Sequence, residues 1–349
     1  MPRRSASPNG GHPRATIESV AEHARVSRQT VSNALNAPQR LRPDTLERVL
    51  GAISDLGYRP NHAARTLRTQ ATRLLGCRLP PSPYAGTGGI FDRFLHVLCE
   101  VSRDRGYDVL SFAAKSDDDE IAVYDDLLRR NAVDGFILLS THFVDPRTAW
   151  LRDRAAPFVA FGRPWGVARA RHSWVDVDGA QGVADAVDHL VEQGHRRIGF
   201  IGWPAGSGVG DDRRAGWLRQ AKARRLPVRG LDVRGEDGIA SGATLAEQLL
   251  DGTKPPSALV CVSDAMAIGA LNVLADRGLR PGADVAIVGF DDSPVASVIR
   301  PGLTSVRQPL EGVAEKLVEL LLEHLGGTRT KPAQVLIPPA LVIRGSSAA

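Results

Sequence analysis

Along residues 16–56, apolar side chains recur at helical spacing in three short blocks divided by polar and turn-forming residues. Ile17, Val20, Ala21 and Ala24 make one stripe. Val31, Ala34 and Leu35 make a second, and Leu46, Val49, Leu50 and Ile53 a third. Steps of three and four put each set on one helix face, which predicts three amphipathic helices around a small core. Thr16 and Ser27 stand where a side-chain oxygen caps the first and second helices; Pro43 suits the first turn of the third, and Gly57 lies just past its end. The link at Arg25-Val26 is short enough to force the first two helices to cross steeply. Beyond Tyr58-Arg59-Pro60, Asn61 can cap one more basic segment, His62–Arg68, too short to fold alone in water.

After Arg73 the pattern changes to strand-like runs, each followed by a helical one. The runs are Leu74–Leu79, Tyr107–Phe112, Gly135–Leu139, Pro157–Phe161, Arg197–Gly202, Ala258–Val262 and Val285–Phe290, with a final run at Gln334–Ile343. Glycine-rich loops sit at their ends. This alternation predicts α/β layers with parallel sheets, and the length suits two sheets better than one.

Charge divides the chain at the same place. Residues 1–75 hold twelve Arg and no Lys against five acids, a balance of +7 in a chain of net +5, which leaves the remainder at −2. A basic head on a near-neutral body points to a polyanion partner for the head. Residues 1–15, rich in Pro, Gly, Ser and Arg, read as a disordered arm. No run of 18 apolar residues predicts a membrane span, and no apolar stretch follows Arg3 and Arg4 as a secretion signal requires. Cys77, Cys99 and Cys261 are too scattered for a metal site or a disulfide framework and suit a reducing cytoplasm. The stretch Gly206-Ser207-Gly208-Val209-Gly210 lacks both the end of a P-loop and the spacing of a dinucleotide fingerprint. No catalytic triad, metal cluster or cofactor motif stands out, so neither an enzyme nor a cofactor is expected.

The stretch from Thr16 to Asn36, Thr16-Ile17-Glu18-Ser19-Val20-Ala21 through Ser27-Arg28-Gln29-Thr30-Val31-Ser32-Asn33-Ala34-Leu35-Asn36, resembles the head of the lactose/galactose repressor (LacI/GalR) family. The likeness continues at Leu56-Gly57-Tyr58-Arg59-Pro60-Asn61, Gly289-Phe290-Asp291-Asp292 and Leu303-Thr304-Ser305-Val306, and covers roughly residues 16–345. It implies a three-helix helix-turn-helix head over residues 16–60 and a hinge helix and linker over 61–73. It also implies a two-lobed core over 74–349 like type I periplasmic sugar-binding proteins. Lobe 1 is expected over about 74–172 and 310–332, and lobe 2 over about 174–306 and 334–345.

The implied partner is double-stranded operator DNA, read as a near-palindrome by a homodimer, because one small head makes too few contacts alone. No heptad tail follows Gln334–Ile343, so nothing predicts a tetramer. Arg28, Gln29 and Asn33 suit base edges; Thr16, Ser27 and Thr30 suit phosphates or caps. Arg25 stands where the family usually has Gly, so it must accept positive φ at about 1 kcal/mol. On the hinge the resemblance assigns Asn61, Ala64 and Arg65 to the DNA, and Leu67 as an apolar wedge between base pairs.

In open α/β sheets ligands bind outside the carboxyl ends of the strands. The resemblance assigns a small effector, sugar-like, to Arg213 and Asp291, with Ser263, Arg163 and Trp203 beside them. Arg213 has an alternative as an ion partner of Asp211 or Asp212, and Asp291 as a helix cap, a role that suits Asp292 better. Ser263 stands where relatives often hold Asn, and Asp237 where many carry a stacking aromatic; Trp203 or Trp165 can take over stacking or pack between lobes. A ligand-responsive repressor competes with a transport-associated sugar receptor and with a sugar kinase or dehydrogenase. The basic head disfavours the receptor, and the missing catalytic constellation disfavours both enzymes.

Overall fold

The computed structural model describes residues 15–58, 71–79, 89–167 and 169–348. The chain divides into two units, Met1–Thr72 and Arg73–Ala349. No helix among the described residues is long and apolar enough to cross a membrane.

In the first unit, α1 (Ile17–His23) is held by a reciprocal cap: Thr16 Oγ1 accepts from the Ser19 N–H at 3.2 Å and Ser19 Oγ from the Thr16 N–H at 2.9 Å. Arg25 takes φ +52 in the turn, the left-handed conformation expected where Gly is usual. Ser27 Oγ then caps α2 (Arg28–Asn36) by accepting from the Thr30 N–H at 3.1 Å. A 3-10 turn at Pro38–Arg40 leads into α3 (Pro43–Asp55), and Gly57 ends it at φ +60. Val20, Ala21, Ala24, Val31, Ala34, Val49 and Ala52 are buried together. Leu50, expected in that core, is 48% exposed; Val49 and Ala52 take the inner face and put Leu50 beyond the edge of the stripe.

The second unit alternates strand and helix. It begins β1 (Leu74–Leu79), α4 (Ile90–Asp104), β2 (Asp108–Ala113), α5 (Asp117–Arg129), β3 (Gly135–Leu138), α6 (Pro146–Asp153), β4 (Phe158–Phe161) and β5 (Trp174–Val177). There follow α7 (Gly179–Glu192), β6 (Ile198–Gly202), α8 (Val209–Ala223), β7 (Asp232–Arg234), α9 (Ile239–Leu250), β8 (Ala258–Cys261) and α10 (Asp264–Asp276). Next are β9 (Ala286–Phe290), α11 (Pro294–Val298), β10 (Thr304–Arg307), α12 (Leu310–Leu325), β11 (Gln334–Ile337) and β12 (Ala340–Val342). Two six-stranded sheets result, ordered β11-β5-β4-β3-β1-β2 and β12-β10-β9-β8-β6-β7. All neighbours are parallel except β12, which lies antiparallel on β10 at an edge. The central strands are near-continuous apolar runs because helices cover both faces.

The sheets correct the expected lobes. β5 pairs with β4 and β11 pairs with β5, so residues 174–177 and 334–337 belong to the first lobe, not the second. The chain crosses between sheets at Asp178, at Gln308-Pro309 and at Pro338-Pro339. The last crossing splits the run Gln334–Ile343 into strands of different sheets, since proline offers no N–H to a continuing ladder. α7 packs Val183, Ala186, Val187 and Leu190 into the second lobe's core, whereas α12 packs Val313, Leu317 and Leu321 into the first.

Candidate functional site

The exposed face of α2 starts with Arg28 and Gln29. Arg28 Nη1 lies 3.1 Å from Glu18 Oε1 on α1, both side chains more than half exposed. A hydrogen bond from its own backbone N–H, and then Arg28, hold the Glu18 carboxyl below its usual range. Gln29 Nε2 donates to Asn33 Oδ1 at 3.0 Å, which aligns two amide side chains one turn apart. Ser27 and Thr30 share a hydroxyl contact of 2.9 Å, and Thr16 and Ser27 serve as caps. Asn61, Ala64, Arg65 and Leu67 lie outside the described residues.

In the second unit, the loops at the strand carboxyl ends bring Arg163, Arg213, Asp291 and both candidate tryptophans together. Arg213 reaches inward from α8 and is 5% exposed. Its Nη1 donates to the Val262 carbonyl at 2.6 Å, and its guanidinium carbon sits 3.5 Å from the Phe290 ring centroid and 5.3 Å from that of Trp203. Nη2 lies 3.8 Å from Asp291 Oδ1, and Nε has no protein partner. Burial lowers the pKa of Arg213, against the pull of Asp291. Asp291 follows β9 at φ +110; its Oδ1 accepts from Gln308 Nε2 at 2.6 Å. Burial pushes its carboxyl up to about 7, with Arg213 opposing.

Two alternative roles are corrected. Arg213 does not pair with Asp211 or Asp212: Asp211 accepts from the Gly206 N–H at 2.7 Å, and Asp212 Oδ2 from Arg163 Nη2 at 2.7 Å. Asp292 is not a helix cap, since Ser293 holds that position and Asp292 instead binds Arg307 at 2.6 Å and Arg344 at 2.7 Å. Ser263, assigned beside the effector, is engaged by its own neighbours. It caps α10 through the Met266 N–H at 3.3 Å and donates to Asp237 Oδ1 at 2.5 Å.

Arg163 projects from the first lobe between Asp176, at 2.8 Å, and Asp212 on α8, and so ties the two lobes together. Trp165 makes a second tie. A Cβ on Gly208 would stand 2.8 Å from its ring, so only glycine, held at φ +68, lets the second lobe approach. The indole N–H groups of Trp165 and Trp203 are buried without protein partners. A third tie went unread in the sequence: Arg93 Nη1, from α4, donates to the Asp292 carbonyl at 2.8 Å and the Asp291 carbonyl at 3.3 Å. Nothing distinguishes Arg93 from other surface arginines in the primary structure. Gln308, two residues past the Leu303–Val306 motif, was equally silent.

Among the described residues one group with metal-ligand chemistry stands apart, Asp117, His142 and Asp145. Arg147 already supplies the cation there, at 2.6 Å from Asp145 and 3.5 Å from Asp117. It also pairs with buried Glu120 at 2.8 Å, so the group reads as an ion network.

Residues 16–61 match the family described as bacterial regulatory proteins, lacI family, and residues 187–347 a periplasmic binding protein-like domain. The chain is 35% identical over 344 residues to the HTH-type transcriptional regulator CelR of Thermobifida fusca, covering 95% of this chain and 98% of that one. It is 30% identical to the HTH-type transcriptional repressor PurR of Escherichia coli O1:K1, covering 96% of this chain and 97% of that one. Among solved structures it resembles a CelR–cellobiose complex, with TM-score 0.73, 32% identity and 95% of this chain and all of that one covered. It also resembles the Lac repressor dimer bound to operator and the anti-inducer ONPF, with TM-score 0.82, 25% identity, and 97% of this chain and 100% of that one covered.

Proposed function

The chain belongs to the lacI family of bacterial regulatory proteins, and on that premise we propose a sugar-released repressor that grips a palindromic operator as a homodimer. It is a transcriptional regulator with a DNA-binding head and a ligand-binding core. Thr16, Ser27, Arg28, Gln29, Thr30 and Asn33 face DNA in this reading, and Asn61, Ala64, Arg65 and Leu67 carry the hinge over residues 61–73. The observation behind the effector assignment is the buried Arg213–Asp291 pair. It leaves the Arg213 Nε–H unmatched beside an indole face. A sugar supplies vicinal hydroxyls for such groups and a C–H face for Trp203. The relative solved with cellobiose makes a β-linked disaccharide the first candidate. Ser263 acts through Asp237, and Arg163 closes the lobes over the ligand. The cleft binds without turnover, and the protein works beside DNA in the cytoplasm.

The test is a thermal-shift panel of mono- and disaccharides on the full chain, followed by gel shift of a palindromic duplex. A sugar that raises the melting temperature should release the duplex and be recovered unchanged. The proposal fails if no saccharide shifts melting, or if the bound sugar is consumed.

A further inference from the structure

We infer that the cleft selects uncharged or cationic sugars and turns away sugar phosphates and uronates, with Asp237 as the residue that sets this selectivity. The inference rests on the saccharide reading above. Anions in α/β clefts are ordinarily taken by helix N-termini or by an uncommitted arginine or lysine. Here the helix starts carry acidic charge of their own, which opposes an anion brought to them. Each core helix that follows a strand, from α4 to α11, has an aspartate in its first turn or within two residues before it. Around the Arg213 site these are Asp211 and Asp212 on α8, Asp237 before α9, Asp264 on α10 and Asp292 before α11.

The arginines are committed as well. Arg163 lies between Asp176 and Asp212, Arg93 donates to two carbonyls, and Arg213 holds the Val262 carbonyl and faces Asp291. Asp237 tips the balance further. It is exposed, its Oδ1 takes the Ser263 hydroxyl, and its charge raises the pKa of both Arg213 and Asp291. An indole or phenyl ring at that position would be indifferent to ligand charge; a fixed carboxylate is not.

The test is calorimetry on the full chain with matched probes: glucose, glucosamine, glucose 6-phosphate and glucuronate, then cellobiose and its 6′-phosphate. The neutral and amino sugars should bind, and the phosphates and glucuronate should bind at least about tenfold more weakly, with a gap that narrows in high salt. Asp237→Asn keeps an acceptor for Ser263 and should shrink the gap severalfold while changing cellobiose affinity less. A phosphate that binds as tightly as its parent sugar overturns the inference and leaves the saccharide reading intact. Binding of that phosphate abolished by Arg169→Ala or Arg171→Ala, on the exposed loop after β4, would identify what supplied the cation. An unchanged gap in Asp237→Asn removes Asp237 from the role. If no sugar of any charge binds, the saccharide reading falls and this inference with it.

Discussion

Arg213 is a cation taken out of water with only one carbonyl bond, an aromatic face and a carboxylate at 3.8 Å to replace hydration. The Asp291 carboxyl, raised to about 7, registers the same burial. Its sign matters. A carboxyl with a raised pKa stabilises the folded chain at low pH, and that contribution is lost as pH rises through about 7. Effector binding should run the other way, because sugar hydroxyls donate to the ionised form. Calorimetry should therefore show affinity highest above pH 7 and falling toward tenfold per unit below it, while the ligand-free chain loses stability from about pH 4 to about 7 and no further above that. A flat affinity profile would remove Asp291 from the ligand. Arg28 gives the contrasting case. Its exposed ion pair with Glu18 contributes little to stability, so Arg28→Ala should leave head melting within about 0.5 kcal/mol. Operator affinity should drop by about 1–3 kcal/mol, with much less change on random duplex in the same salt. Equal losses on both would mean a phosphate contact. These residues were legible because their chemistry is local: a fork donor, an acid after a strand, polar groups at a helix start. Arg93, Gln308 and the Asp237–Ser263 bond were not, because each depends on segments brought together only by the tertiary fold.

At the scale of elements, legibility followed apolar continuity. β3 and β9 are buried on both faces and read directly as strands. β5, β7 and β10 passed unread because polar residues interrupt them. Asp176 in β5 binds Arg163, and Thr304 and Ser305 in β10 are buried hydroxyls that bond to the Arg344 carbonyl and to Asp264. A polar side chain spoils the pattern whether it faces water or a buried partner, and the sequence does not distinguish the two. Lobe membership was misassigned for the same reason, since it depends on which sheet accepts β5 and β11. Caps were easier, because one hydroxyl just ahead of an apolar stripe carries the signal. Ser27→Ala should cost the head about 1 kcal/mol by removing the cap hydroxyl from the Thr30 N–H, while core unfolding stays unchanged. Calorimetric scans of the full chain report both transitions. A shift in the core instead would contradict the division of the chain at Thr72.

At the scale of the molecule, regulation requires that two states of the core differ in affinity for both effector and operator. A ligand shifts DNA binding only by its differential affinity for those states. The proposed unit is the dimer, and light scattering at micromolar concentration should give twice the chain mass; a monomer or a stable tetramer would refute it. Three contacts bridge the lobes at the cleft, Arg93 to the Asp291–Asp292 carbonyls, Arg163 to Asp212, and Trp165 over Gly208. Two of them end next to groups proposed to hold effector, so filling the cleft acts directly on the contacts that fix the lobes. The hydrogen bond and nearest contacts of Arg213, to Val262, Phe290 and Asp291, all lie in the second lobe, and only the through-space attraction of Asp176 reaches it from the first. Its removal should therefore silence sensing without altering the ligand-free state. Arg213→Ala strips the charge that holds down the Asp291 pKa, so Asp291 should become neutral rather than stand as an unpaired buried anion. Losing a charged, desolvated donor costs about 1.5–3 kcal/mol, or roughly ten- to hundredfold in effector affinity. Operator binding without effector should stay near normal, and release by the sugar identified in the panel should need correspondingly more of it. Circular dichroism confirms folding, and gel shift titrated with sugar reads the response. A folded Arg213→Ala protein released at the wild-type sugar concentration would show that the effector does not touch Arg213, and the cleft assignment would have to be abandoned.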